Sequence, residues 1–149
     1  MAEILKLEVV TPERRAIQTE ASEVQLPGSD GYLGILPGHA PLLTELGTGE
    51  LSYQAGGTTF YIAVFGGYAE VLPDRVIALA EAVERPEEID VERARAAKQA
   101  AEKILSTPNI SLEEATEATA EVVRADLRVQ VASRAAHGVA AGGGERSHA

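Results

Sequence analysis

The sequence contains no cysteine and no tryptophan, one methionine, and only four tyrosines and two phenylalanines among 149 residues. Without cysteine there is no disulfide, no thiol nucleophile and no Cys-ligated zinc, and the redox compartment stays open. Positive charge is also scarce: 13 Lys and Arg stand against 23 Asp and Glu, a formal charge of −10. That balance excludes a protein that grips nucleic acid or anionic lipid through a general positive field. Nowhere do about eighteen apolar residues run together, so no membrane-spanning helix is expected. The opening Met1-Ala-Glu-Ile-Leu-Lys6 lacks a basic stretch followed by an apolar run, so no signal peptide is expected. What is present is 45% hydrophobic and 24% charged residues. That is a globular balance, in a length that allows one ordinary domain or a small domain with an appendage. The expectation is a soluble, acidic, cytosol-type chain.

Glycine and proline divide the chain. Ten of the 14 glycines lie between Gly28 and Gly67, and five of the seven prolines precede Pro86. Residues 1–86 carry 5 basic against 12 acidic side chains, and residues 87–149 carry 8 against 11. In the first part short apolar runs are separated by turn residues every eight to twelve positions, the pattern of a β-sandwich. The runs are Ile4–Val10, Val24–Leu26, Leu33–Ile35, Leu42–Leu46, Leu51–Tyr53, Phe60–Phe65, Tyr68–Leu72 and Val76–Ala80. Gly66-Gly67 and Pro73-Asp74 read as tight turns between strands.

From Glu87 to Ala136 there is no glycine and much alanine, which favours helix. One helix is expected from about Asp90, a plausible N-cap, to Leu105, with Val91, Ala94, Ala97, Ala101 and Ile104 on one face. Ser106-Thr107-Pro108-Asn109 breaks it. Ser111 and Glu114 have the spacing of a capping box, and a second helix follows to about Ala136 with Leu112, Ala115, Thr119, Val122, Ala125 and Val129 on one face. Early glutamates and the late Arg124, Arg128 and Arg134 suit the helix dipole. The fold class is therefore α+β: residues 1–86 as a sandwich of about 8–10 short strands, residues 87–137 as an antiparallel two-helix hairpin, and residues 138–149 as a disordered tail. An alanine-lined hairpin gains about 0.8 kcal/mol per buried methyl where leucine gains about 1.5–3, so it should dock loosely.

Motifs for catalysis are absent. The stretch Gly28-Ser-Asp-Gly31-Tyr-Leu-Gly34-Ile-Leu-Pro-Gly38 lacks the Lys-Ser/Thr ending and the following helix of a phosphate loop. His39, His137 and His148 share no metal-ligand spacing. No serine sits in a nucleophile elbow. The residues point to a protein that binds rather than one that does chemistry, with no metal and no catalytic residue.

The run Gly31-Tyr32-Leu33-Gly34-Ile-Leu-Pro37-Gly38-His39-Ala-Pro41-Leu42-Leu43-Thr44 resembles the signature of the epsilon subunit of the bacterial F-type ATP synthase. The resemblance continues through Gly66-Gly67-Tyr-Ala-Glu70-Val71 and Val76-Ile-Ala-Leu-Ala80-Glu81 into the helical hairpin, about residues 3 to 136. It implies a non-catalytic stalk protein whose sandwich binds the gamma subunit and rests on the c-ring, at the cytoplasmic face of the cell membrane. It also implies that the hairpin can open and extend along gamma into the alpha/beta catalytic head, inhibiting ATP hydrolysis. Tyr32, Leu33, His39, Pro41 and Leu42 would then form a partner interface, and Arg124 and Arg128 would be the cations of the inhibitory helix.

Some members of that family bind regulatory ATP between sandwich and hairpin. Ile89-Asp90-Val91-Glu92-Arg93-Ala94 matches their motif, and Glu84 lies where an upstream acidic contact is expected. The family's ATP-contacting arginine on the last helix falls at or near Asp126. Arg124 and Arg128 flank that position, and at about 100° per residue neither takes its place automatically. Apart from the resemblance, the residues also allow a free-standing ligand-binding sandwich with the hairpin as a lid.

Overall fold

The computed structural model describes residues 3–136. Eight strands come first: β1 (Leu5–Val10), β2 (Arg15–Ala21), β3 (Glu23–Gly28), β4 (Gly31–Ile35), β5 (Leu42–Ala55), β6 (Thr58–Leu72), β7 (Arg75–Ala80) and β8 (Val83–Glu84). They hydrogen-bond in the order β2-β1-β7-β6-β5-β3-β4, with β8 on β6. All pairings are antiparallel except β1 with β7.

The two long strands make this path a sandwich. β5 and β6, of 14 and 15 residues, stay in one register from Leu42↔Val71 to Ala55↔Thr58. Side chains alternate faces along a strand, so a fixed register lets each face be followed. Leu46, Ala69 and Val71 point into the core from one face of this ribbon. Leu51, Tyr53, Phe60, Ile62 and Val64 point into the same core from the other. The ribbon thus crosses from one layer to the other, and its inner and outer faces exchange between Leu46 and Leu51.

Glycine permits the exchange. Gly67 has φ +124°, and a Cβ there would lie 2.2 Å from the Leu79 carbonyl oxygen. The sequence expectation of a turn at Gly66-Gly67 is therefore corrected: both lie inside β6, where positive φ re-aims the strand without ending it. The runs 42–46 and 51–53 are likewise one strand, as are 60–65 and 68–72. β2, unforeseen in the sequence, has only Ala16, Ile17 and Ala21 as buried residues. The turn at Pro73-Asp74 is present. Every buried residue of the main core lies between Leu5 and Val83.

A single 3₁₀ turn, Pro86–Glu88, leads to α1 (Val91–Leu105) and α2 (Leu112–Ala136). Asp90 caps α1, its Oδ1 accepting the Arg93 N–H at 3.1 Å. Ser111 Oγ accepts the Glu114 N–H, and Glu114 Oε1 accepts the Ser111 N–H, each at 3.0 Å. Between the helices Asn109 takes φ +63°, the left-handed conformation that asparagine tolerates.

The buried stripe of α2 is rotated from the expected one. Leu112 is 83% exposed, whereas Ala118, Ala125 and Ala132 are buried at every seventh residue, as Ala94 and Ala101 are on α1. Ala94 and Ala101 of α1 and Ala118 and Ala125 of α2 are the small side chains buried along the stretch where the two helices pack. Leu127 and Val131 turn instead to the sandwich and, with Ala63, Phe65 and the half-buried Ile89, make a second, small apolar cluster. A helix that packs on two neighbours cannot keep one simple stripe. The expected tail at 138–149 lies outside the described residues. No helix among the described residues is long and apolar enough to cross a membrane.

Candidate functional site

Where the start of α1, the second half of α2 and the end of β8 meet, a cleft of about 450 Å³ opens, lined by Glu84, Glu88, Asp90, Arg93, Ala94, Ala97, Glu121 and Arg128. Four of the residues singled out from the sequence, Glu84, Asp90, Arg93 and Ala94, come together here. Ile89, the fifth, turns away into the apolar cluster beneath.

Arg128 lies across the cleft. Its Nε donates to Glu84 Oε1 at 2.9 Å, its Nη2 donates to Glu84 Oε2 at 3.2 Å, and its guanidinium sits 4.8 Å from the Phe65 ring centre. Asp126 points elsewhere, forming an ion pair with Lys98 of α1 at 2.7 Å. The position where the family's arginine was expected thus points away from the cleft, and of the two flanking arginines Arg128 lines it. Two residues along the helix from Asp126 rotates the side chain by about 200°, which carries position 128 to the cleft. Beside it, Glu88 accepts from Arg14 Nη1 and Nη2, both at 2.9 Å. The hydrogen bonds from Arg14 hold the Glu88 carboxyl below the usual glutamate range, and the pair raises Arg14 in turn. Guanidinium forks match carboxylates and phosphates alike, so an anion that enters the cleft meets two arginines among four carboxylates. No group of three or more metal-ligating side chains occurs among the described residues.

The expected partner surface is a separate region. Tyr32 is 54% exposed and Leu42 is 37% exposed, Pro41 is exposed, and Leu33 packs its side chain on the core. His39 is half-buried, its Nδ1 lying 2.7 Å from the Ala40 carbonyl oxygen. The loop is tied to the β6–β7 turn by the Gly38 N–H, which donates to the Pro73 carbonyl at 2.7 Å. The resemblance carried the expected surface from Tyr32 to Leu43, but sequence reasoning missed Tyr68 and Leu79, which extend it as an apolar face. Leu43, Tyr68 and Leu79 are 73%, 55% and 57% exposed and point the same way from adjacent strands, because Tyr68 opposes both Glu45 and Leu79. The signal was present: these residues fall on the positions whose neighbours in the strand face inward.

On α2, Arg124 is satisfied within its own helix by Glu117 at 2.8 Å and Glu121 at 3.2 Å. Arg134, read in the sequence as a late cation of the second helix, reaches the sandwich. Its Nη2 and Nε donate to Glu50 at 2.7 and 2.9 Å, and its guanidinium lies 4.0 Å from the Tyr61 ring centre. Glu50 and Arg134 are 84 residues apart, and nothing local in the sequence pairs them.

A strand-rich sandwich followed by a docked helical hairpin, with an arginine–carboxylate cleft where they meet, defines a two-part architecture. Residues 4–86 match the family model "ATP synthase, Delta/Epsilon chain, beta-sandwich domain", and residues 87–133 match "ATP synthase, Delta/Epsilon chain, long alpha-helix domain". The chain is 46% identical over 134 residues to the ATP synthase epsilon chain of Solibacter usitatus, covering 90% of this chain and 99% of that one. It is 57% identical over 107 residues to the ATP synthase epsilon chain of Koribacter versatilis, covering 72% and 75%. Among solved structures, a chain of the Euglena gracilis mitochondrial ATP synthase (OSCP/F1/c-ring) shares the fold with a TM-score of 0.66 at 20% identity, over 92% of this chain and 82% of that one. The chain belongs to the ATP synthase delta/epsilon chain family, whose members are subunits of that complex.

Proposed function

We propose that this chain is the epsilon subunit of a bacterial F-type ATP synthase, a non-catalytic part of the central stalk that joins gamma to the c-ring. The observation that carries this reading is the 46% identity to an epsilon chain along 99% of that chain's length. The sandwich is the stalk part, and Tyr32, Leu33, His39, Pro41 and Leu42 belong to its contact surface for gamma and the c-ring. The exposed Leu43, Tyr68 and Leu79 extend that surface. The subunit sits peripherally at the cytoplasmic face of the membrane. The hairpin is the regulatory part: released from the sandwich, α2 reaches into the alpha/beta head and slows hydrolysis, with Arg124 and Arg128 as its cations.

The cleft is the site for a regulatory adenine nucleotide. In the docked hairpin Arg128 is committed to Glu84, so the nucleotide's phosphates take Arg128 from Glu84 while Arg93 and the start of α1 close on the other side. One experiment tests both statements. ATP hydrolysis is measured in a head complex containing gamma but no epsilon, with and without this protein, at increasing ATP. The expected result is a fall in rate that is lost when the chain ends at Glu88, and that is relieved by ATP less readily in Arg93→Ala. No change in rate, together with failure to co-elute with gamma, overturns the assignment in favour of a free-standing sandwich with a helical lid. Inhibition whose relief by ATP is the same in Arg93→Ala overturns the nucleotide site alone.

A further inference from the structure

The contact between Glu50 and α2 has a second side. Along β5 the ladder to β3 is interrupted between Gln25↔Ser52 and Gly28↔Leu46, and the backbone N–H of Glu50 falls in that gap. It donates to the Tyr32 hydroxyl at 3.1 Å, so a residue of the exposed β3–β4 hairpin replaces the missing strand partner. The fit is close: a Cβ on Gly49 would lie 3.0 Å from that hydroxyl and 2.6 Å from Pro27 Cβ. On the opposite face the Glu50 side chain, only 8% exposed, accepts from Arg134 Nη2 and Nε at 2.7 and 2.9 Å and from Gln130 Nε2 at 3.2 Å. The Tyr61 ring, under Arg134, completes the socket.

We propose that Glu50 is a latch between the Tyr32 surface and the docking of α2, so that a protein partner seated on Tyr32 loosens the last turns of α2 from the sandwich. The backbone of residue 50 is the shared part. Tyr32 fixes where it lies, and its position fixes whether the carboxylate meets both Arg134 and Gln130. The apolar cluster of Leu127 and Val131 with Ala63 and Phe65 is small, so these charged hydrogen bonds make up a large share of what holds the helix. Release costs no stranded charge, because Glu50 and Arg134 both reach water when α2 leaves. The coupling goes beyond the assignment of the nucleotide cleft, whose lining includes neither Glu50 nor Arg134, and holds whether or not a nucleotide binds there.

The native sequence has no cysteine, so two spin labels can be placed cleanly on the full chain, at Glu20→Cys on β2 and Thr119→Cys on α2, both exposed. The distance distribution between them reads the docked and released populations in the isolated protein. Glu50→Gln is expected to raise the ratio of released to docked chains about tenfold, and Tyr32→Phe, which removes one oxygen atom, about threefold. Adding Tyr32→Phe to Glu50→Gln should change little further, because both act through one contact. Arg95→Gln, which removes an exposed charge from α1, should leave the populations unchanged. An unchanged ratio in Glu50→Gln overturns the latch. Effects of Tyr32→Phe and Glu50→Gln that simply multiply leave the latch in place but overturn its coupling to the Tyr32 surface. An equal rise in Arg95→Gln overturns both by making the effect one of general charge.

Discussion

Arg14 and Glu88 tie the 3₁₀ turn before α1 to the loop before β2 through two parallel hydrogen bonds of 2.9 Å. Because the folded carboxyl has a lowered pKa, the pair contributes fully above the ordinary glutamate range and is lost as the pH falls through that lowered value. Both side chains are more than a third exposed, so the contribution stays under about 1 kcal/mol. The stability gap between the parent and Arg14→Gln, read from urea midpoints, should be constant near neutral pH and close in acid. A gap that persists at the lowest pH removes this account. At the same scale, Asp90 and Ser111 were legible as caps, because capping is a contact between residues three apart. Arg128 with Glu84 and Arg134 with Glu50 were not, since an ion pair spanning 44 or 84 residues leaves no trace in local spacing. Glu50 in particular reads as one more solvated acid until the face it occupies is known.

Among the elements, the glycines decide the sandwich. Gly67→Ala puts a side chain at φ +124° and against the Leu79 carbonyl at 2.2 Å, and should cost about 3 kcal/mol or more. Gly57→Ala, at φ +80° with open space around it, should cost only about 1 kcal/mol. Urea unfolding of the two variants separates steric collision from backbone strain, and equal losses would contradict the crossing of β6 described above. The sequence showed the sandwich and the hairpin but cut the two longest strands in half. Gly66-Gly67 has the composition of a turn, and only the constant register with β5 on either side reveals it as a re-aimed strand. β2 was invisible for a different reason: Arg15-Ala-Ile-Gln-Thr-Glu-Ala21 at the edge of the sheet has too few large apolar residues to alternate.

Across the whole molecule, the sandwich carries the main core, and the hairpin adds a thin alanine seam and a small apolar cluster. A chain ending at Glu88 should therefore unfold cooperatively with a urea midpoint close to the parent's. In the full chain, α1 and α2 amides should exchange with solvent faster than those of β5 and β6, as segments with little buried apolar surface do. A truncated chain that fails to fold, or helices as protected as the long strands, would show the two parts to be one cooperative unit. The β5–β6 ribbon gives the contrast a mechanical meaning. Its thirteen cross-strand pairs keep one register through both layers, so a twisting load on one layer passes to the other along covalent chain instead of across a slip plane of side chains. The sandwich behaves as a stiff strut, and the hairpin as a compliant arm bolted to it at Glu84 and Glu50.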